Sequence, residues 1–145
     1  VDAVDKRIVE LLQEDGRITM KQLGKVVGLT APAAAERVRK LEEQGVITGY
    51  KATVNPEKMN KHVTAFVLFD TTQCKKFVEF CKTYPDVTEC YRLAGQYSYL
   101  VKVVTQSVHS LERFIDQAMP YGKSSTLIVL SSAVTDKAVA LELDD

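Results

Sequence analysis

The sequence predicts an α+β chain in two parts, an N-terminal three-helix helix-turn-helix (winged-helix-like) domain followed by a βαββαβ ferredoxin-like domain. Three observations predict it. Apolar residues recur at helical spacing up to about residue 45, and the period changes to that of strands from residue 61. Gly28-Leu29-Thr30 is a three-residue break between two helical stripes, with Gly first, which is the spacing of a helix-turn-helix. From residue 61 onward the order is strand, helix, strand, strand, helix, strand, the split βαββαβ unit.

Each element follows from local chemistry. Val4, Ile8, Leu11 and Leu12 form an apolar stripe behind Asp2, a good N-cap, and Gly16 is expected to end the helix in the left-handed conformation, giving a first helix of about 3–14. Thr19 with Gln22 three residues on fits a capping box ahead of Leu23, Val26 and Val27, and Gly28 stops this second helix, about 20–27. Thr30 caps a third helix of about 31–44, in which Pro32 is tolerated because first-turn amides have no intrahelical partner, and Ala34, Val38 and Leu41 share a face. Val46, Ile47, Tyr50, Ala52 and Val54 suit an extended strand, a wing or a connector, ended by Asn55-Pro56. The expected organisation is therefore a helix-turn-helix at 1–50, a strand or linker at 51–60 and the second domain at 61–145.

In that second domain His62 to Asp70 is β-rich. A helix at about 73–83 places Cys74, Phe77, Cys81 and Tyr84 on one face before Pro85 halts it. Val87–Leu93 and Tyr97–Thr105 should form an antiparallel hairpin about the turn Ala94-Gly95-Gln96. Ser107 caps a helix carrying Leu111, Phe114, Ile115 and Ala118, Pro120 and Gly122 break it, and Thr126–Ser131 is a last strand. A four-stranded sheet with helices on one face leaves the other to be covered, and Leu100, Lys102 and Val104 alternate with Tyr99, Val101 and Val103, so both faces of that strand carry apolar side chains. A partner sheet is the simplest cover, and self-association is expected.

Composition excludes several function classes. The chain has 145 residues, 46% hydrophobic and 26% charged, so disorder and collagen-like structure do not fit. Its apolar runs stop after a handful of residues, far short of the roughly 20 that span a bilayer, and no apolar segment follows the charged N-terminus, so neither a membrane span nor a secretory leader is expected. A cytoplasmic location follows. The three cysteines fit neither a C-x-x-C site nor a disulfide framework and read as buried free thiols. His62 and His109 are isolated, and no nucleophile elbow, P-loop or dinucleotide fingerprint occurs, so no metal, no cofactor and no enzyme activity are expected. Although 19 basic residues balance 19 acidic ones, seven cations stand against three carboxylates between Gly16 and Lys51, a local net charge of +4. Such a segment is either a solvated surface or a contact to nucleic acid.

At this point the residues carry a family resemblance. The runs Asp5-Lys6-Arg7-Ile8, Leu11 to Arg17, Leu23-Gly24, Val27 to Thr30, Glu36 to Ile47 and Gly49-Tyr50 resemble the N-terminal half of the Lrp/AsnC (feast/famine) transcriptional regulators. Arg92 to Leu100 and the Pro120-Tyr121-Gly122 break are similar to that family's effector-binding and assembly domain. The resemblance implies binding to double-stranded DNA, dimers through the βαββαβ halves, commonly dimers of dimers closing into an octamer, and modulation by an amino acid or related small molecule. Two other readings compete: an architectural DNA-binding protein without effector, and an ACT-like metabolite-binding module without a DNA role.

A recognition helix lays its N-terminal part in the major groove while neighbouring groups hold phosphates. With Ala34, Val38 and Leu41 inward, a 100° step per residue turns Pro32, Ala33, Glu36, Arg39, Lys40 and Glu43 outward and puts Ala35 and Arg37 on the flanks. Thr30, Pro32, Ala33, Glu36, Arg37, Arg39 and Lys40 are thus the candidate DNA-binding residues, with Arg39 the foremost and Arg37 open to pairing with Glu36 or Glu42 instead. The run Ala31-Pro32-Ala33-Ala34-Ala35 offers no side-chain donor or acceptor to a base, so sequence-tolerant binding is expected. The resemblance also points to an effector site at Gly95, Gln96, Tyr97, Ser98 and Tyr99 with Ser124, Ser125 and Thr126. There Ser98 stands where the family usually carries Asp, and no acid lies between Tyr91 and Gln106 to replace it. Weak or absent amino-acid binding, near or above about 1 mM, is the expectation.

Overall fold

The computed structural model describes residues 1 to 144, in two compact units: Val1–Thr53 with the chain from Val134 onward, and Val54–Ala133. The expected division leaves the C-terminal tail with the second domain. In the structure the tail joins the first, because the Gln13 side-chain amide donates to Val139 O and accepts from Val139 N, both at 2.8 Å.

The first unit holds α1 (Ala3–Glu14), α2 (Met20–Val27) and α3 (Ala31–Glu43). Capping boxes open α1 (Asp2 with Asp5) and α2 (Thr19 with Gln22), and the Thr30 hydroxyl accepts from the Ala33 amide at the start of α3. Ile8, Leu23, Ala34, Val38 and Leu41 form the buried core. Gly28 ends α2 in the left-handed conformation at φ +77°. Gly24 sets how closely α2 meets the turn, since a Cβ there would lie 2.4 Å from Leu29 O.

Two expectations in this unit are corrected. Gly16 is not left-handed; α1 ends at Asp15, which is extended and whose carboxylate accepts from the Arg17 amide at 2.9 Å, an Asx-type turn that stops the helix by itself. Residues 46–54 do not form a strand. The amides of Val46 and Ile47 both donate back to Leu41 O, closing the C-terminus of α3, and no neighbouring strand offers the segment a ladder.

The second unit holds β1 (Val63–Asp70), α4 (Cys74–Thr83), β2 (Val87–Arg92), β3 (Tyr99–Thr105), α5 (Val108–Ala118) and β4 (Lys123–Ile128), after a 3₁₀ turn at Pro56–Met59. The strands form one antiparallel sheet in the order β2-β3-β1-β4, the βαββαβ arrangement. Ala65, Val67 and Phe69 of β1 and Tyr99, Val101 and Val103 of β3 pack with Phe77, Cys81, Leu111, Phe114 and Ala118 of the two helices. Phe69 and Phe77 have ring centroids 4.5 Å apart, so aromatic contact seals the end of the core. All three cysteines are free; Cys81 is buried, which pushes its thiol up to about 12.

The alternate residues Phe66, Leu68, Leu100 and Val104 face away from the helices and are only half-buried, and Leu127 of β4, opposite Phe66, is exposed. β3 begins at Tyr99, not Tyr97, because the Leu93 amide bonds to Ser98 O and draws residues 93–98 into a loop. β4 begins at Lys123, three residues before the expected start. Gly122 lets it do so: a Cβ at that position would lie 2.1 Å from Asp70 O.

Candidate nucleic-acid interface and effector region

α3 turns its charged residues outward as the 100° projection requires, but Ala33, expected outward, is half-buried and Ala35, expected on a flank, is exposed. Ala34, Val38 and Leu41 are buried, Pro32, Ala35, Glu36, Arg39, Lys40 and Glu43 are exposed, and Ala33 and Arg37 are half-buried on the flanks. Thr30 is exposed, with its hydroxyl committed to the cap at 3.3 Å from Ala33 N. Of the first-turn amides only that of Ala31 is left for a phosphate, since Pro32 has no N–H and that of Ala33 is taken by Thr30, so the positive end of the helix dipole is the main attraction this end can offer.

Both arginines of the helix have partners. Arg37 Nη1 donates to Asp2 Oδ2 at 2.8 Å and to Asp5 Oδ1 at 3.3 Å, so it ties α3 to the start of α1 and pairs with neither Glu36 nor Glu42. That hydrogen bond, aided by the Asp5 amide, holds the Asp2 carboxyl down at about 2. Asp5 is the more buried of the two acids, its side chain 12% exposed, which gives Arg37 a structural duty in the unbound protein. Arg39 donates through Nε to Glu36 at 2.9 Å and through Nη1 to Glu43, a bracket of acids one turn before and one turn after it. The hydrogen bond with Arg39 lowers the Glu36 carboxyl, and the same contact raises the guanidinium. Lys40 is exposed, and among the described residues it makes no ion pair.

Within the basic segment from Gly16 to Lys51, four cations outside the candidate set share that condition. Arg17, Lys21, Lys25 and Lys51 have exposed side chains and, among the described residues, no ion-pair partner. Lys21 lies in the first turn of α2 and Lys25 in its last. The sequence signal for them was present in the local charge excess, which does not say which cations are already paired.

The effector candidates divide. Tyr99 is a core residue, 5% exposed with its ring centroid 5.3 Å from that of Phe77, so its side chain is removed from the site. Gly95 and Gln96 are exposed at the loop, and Tyr97 and Ser98 are half-buried. Ser124, Ser125 and Thr126 lie on β4 opposite Phe69, Leu68 and Val67, which puts β1 between them and Ser98. Two strand spacings, roughly 10 Å, separate the two groups.

What Ser98 meets is the end of β1. Its amide donates to Phe69 O at 2.7 Å, its hydroxyl accepts from the Thr71 amide at 3.3 Å, and its proton is divided between Thr71 O at 3.3 Å and Asp70 Oδ1 at 3.5 Å. The Thr71 hydroxyl in turn donates to Tyr121 O at 2.6 Å. A carboxylate therefore stands beside Ser98 after all. It is Asp70, 28 residues away in sequence, and no window around the loop could reveal it.

With this geometry in hand, comparison with known proteins gives a consistent result. Residues 1–42 match the AsnC-type helix-turn-helix domain, and residues 64–139 match the Lrp/AsnC ligand binding domain. The chain is 56% identical over 133 residues, 92% of its length and 96% of the relative's, to the HTH-type transcriptional regulator YezC of Bacillus subtilis. It is 35% identical to the leucine-responsive regulatory protein of Rhizobium meliloti, over 79% of this chain and 77% of that one. Among solved structures, LrpC of Bacillus subtilis superposes with a TM-score of 0.89 at 32% identity, covering 93% of this chain and 98% of that one. A helix-turn-helix with a charged third helix, a βαββαβ unit and matches that run through both halves lead to one conclusion: the chain belongs to the Lrp/AsnC family of helix-turn-helix transcriptional regulators.

Proposed function

We propose that this regulator binds double-stranded DNA as a multimer, with low sequence discrimination, and that a small molecule of the amino-acid class modulates it. The observation that carries the DNA role is the exposed face of α3, held outward by a buried Ala34, Val38 and Leu41 stripe and bearing the unpaired Lys40, with Lys21 and Lys25 exposed and unpaired on the preceding helix. Phosphates supply the affinity, and the bases meet alanines that can touch a thymine methyl but cannot hydrogen-bond.

One helix-turn-helix holds one half-site, so useful affinity needs at least two copies. The open sheet face, with Phe66, Leu68, Leu100, Val104 and Leu127, is the surface that a second copy covers, and a ring of dimers up to an octamer extends the same principle. The protein acts in the cytoplasm without catalysis, in keeping with relatives that are regulators and with the absence, among the described residues, of any helix long and apolar enough to cross a membrane.

The test is binding as a function of salt. Removing Lys40 and Arg39 together should lower the slope of log K against log salt by about one for each phosphate that is no longer held. An unchanged slope and affinity in the folded variant overturns the interface. Random DNA should compete well, and a specificity ratio of roughly 10⁵ or more contradicts the sequence-tolerant reading. Light scattering at micromolar concentration should show at least a dimer.

A further inference from the structure

We propose that Asp70 and Lys123 are the two charged poles of the effector site, and that together they select a zwitterion, a free α-amino acid. The proposal rests on the reading of this region as an effector site and adds the groups that would make it selective. An ammonium needs an anion and a carboxylate needs a cation, whereas every side chain in the candidate set Gln96, Tyr97, Ser98, Ser124, Ser125 and Thr126 is neutral.

The sheet brings both charges to one place. Asp70 and Lys123 are the terminal partners of the β1–β4 ladder, and directly opposite residues of an antiparallel pair project from the same face with Cβ atoms about 4.5–5.5 Å apart. Opposite charges so placed usually pair. Here, among the described residues, no ion pair joins them: the Asp70 carboxylate turns toward β3 and takes the Ser98 hydroxyl. Ser98, Asp70 and Lys123 thus stand in a row across the end of three neighbouring strands, with the anion in the middle, both charged side chains exposed and the backbone of Lys123 one strand spacing of about 4.8 Å from that of Asp70. The lysine stem is flexible and exposed, so the ammonium of an α-amino acid can take Asp70 while its carboxylate takes Lys123 reaching over from the next strand.

The backbone beneath this row is tightly held. Ser98 N–H bonds to Phe69 O, the Thr71 hydroxyl bonds to Tyr121 O, and Gly122 passes so close to Asp70 O that no side chain fits between. Three segments distant in sequence are laced at the point where the charges emerge, the support that a preorganised binding group needs.

The experiment is a saturation-transfer NMR titration of the full chain with each of the twenty L-amino acids, followed by the N-acetyl and carboxamide derivatives of the tightest binder. Asp70→Asn and Lys123→Met should each weaken that amino acid about ten- to a hundredfold. The N-acetyl derivative, which lacks the ammonium, should bind weakly and lose nothing more in Asp70→Asn. The carboxamide should likewise be insensitive to Lys123→Met. Both residues are exposed, so both variants should melt like the parent.

An amino acid that binds the parent and keeps its affinity within about threefold in both variants overturns the assignment of the poles and leaves the effector reading standing. A loss confined to Asp70→Asn overturns the zwitterion and leaves a site for amines. No binding by any amino acid up to about 10 mM overturns the effector reading and this proposal with it.

Discussion

On α3, Arg39 is bracketed by Glu36 and Glu43 on its own helix, and Arg37 reaches back to Asp2 and Asp5 on α1. At the end of the sheet, Asp70 and Lys123 stand directly opposite one another and do not pair. The first region is balanced before anything binds, so a phosphate that takes Arg39 must compete with two carboxylates, and the gain is the difference between two ion pairs at the surface. Exposed pairs are worth only about 0–1 kcal/mol, which makes such an exchange nearly neutral and leaves net attraction to the unpaired lysines. In the second region Asp70 holds only the Ser98 hydroxyl and no ion pair joins it to Lys123, so on the proposed reading a small zwitterion would meet both charges without breaking an ion pair. A balanced helix suits tolerant contact with a long polyanion, and an unpaired couple suits selection of a small ligand.

The largest expected effect comes from disturbing how α3 is presented. Gly24→Ala puts a methyl 2.4 Å from Leu29 O, so the turn between α2 and α3 must move, at a cost of about 1–3 kcal/mol. Denaturant unfolding should show the loss, and DNA affinity should fall with it. A variant as stable as the parent would mean that the turn yields freely and that α3 is not held by this approach of backbone to backbone.

A smaller effect separates the two regions directly. Glu43→Gln removes one side of the bracket around Arg39 and one repulsive charge, so DNA binding should tighten roughly two- to fivefold at low salt and converge with the parent as salt rises. Amino-acid binding should stay as it was. If DNA affinity falls instead, Glu43 is orienting Arg39 for the groove, and the balanced helix is a preorganised one.

Much of this was legible in the sequence, and the failures share a physical cause. The three N-terminal helices end within a residue of their expected bounds because caps and stripes are local: Thr19 with Gln22, Thr30 with Ala33, and Gly28 in the left-handed region. The bracket around Arg39 was legible in principle, since Glu36 and Glu43 lie at helical spacings of three and four. The partners of Arg37 were not: Asp2 and Asp5 lie 35 and 32 residues away, across a helix packing that periodicity does not orient. Asp70 escaped for the same reason, since only the β1–β3 register carries it to Ser98. The supposed strand at 46–54 failed differently, because β-prone side chains make a strand only where a neighbour offers hydrogen bonds, and the amides of Val46 and Ile47 were already taken by α3.

The smallest expected effect concerns the other arginine of α3 and the pH at which its tie to α1 is lost. Asp2 titrates at about 2 in the folded chain against an ordinary value of 3.8, chiefly because of the Arg37 hydrogen bond. A carboxyl lowered on folding stabilises the fold above its unfolded value, and that contribution disappears as pH falls from about 4 to about 2. Asp2→Asn isolates it, since Asn caps a helix about as well as Asp while its NH2 replaces the oxygen that accepts from Arg37, removing the charge and that one hydrogen bond. The variant should melt slightly below the parent at neutral pH, by a difference kept small because the pair is exposed to solvent, and the two curves should meet between pH 4 and 2. A gap that persists unchanged below pH 2 would assign the loss to the cap, and the link between Arg37 and Asp2 would then add nothing to holding α3 against α1.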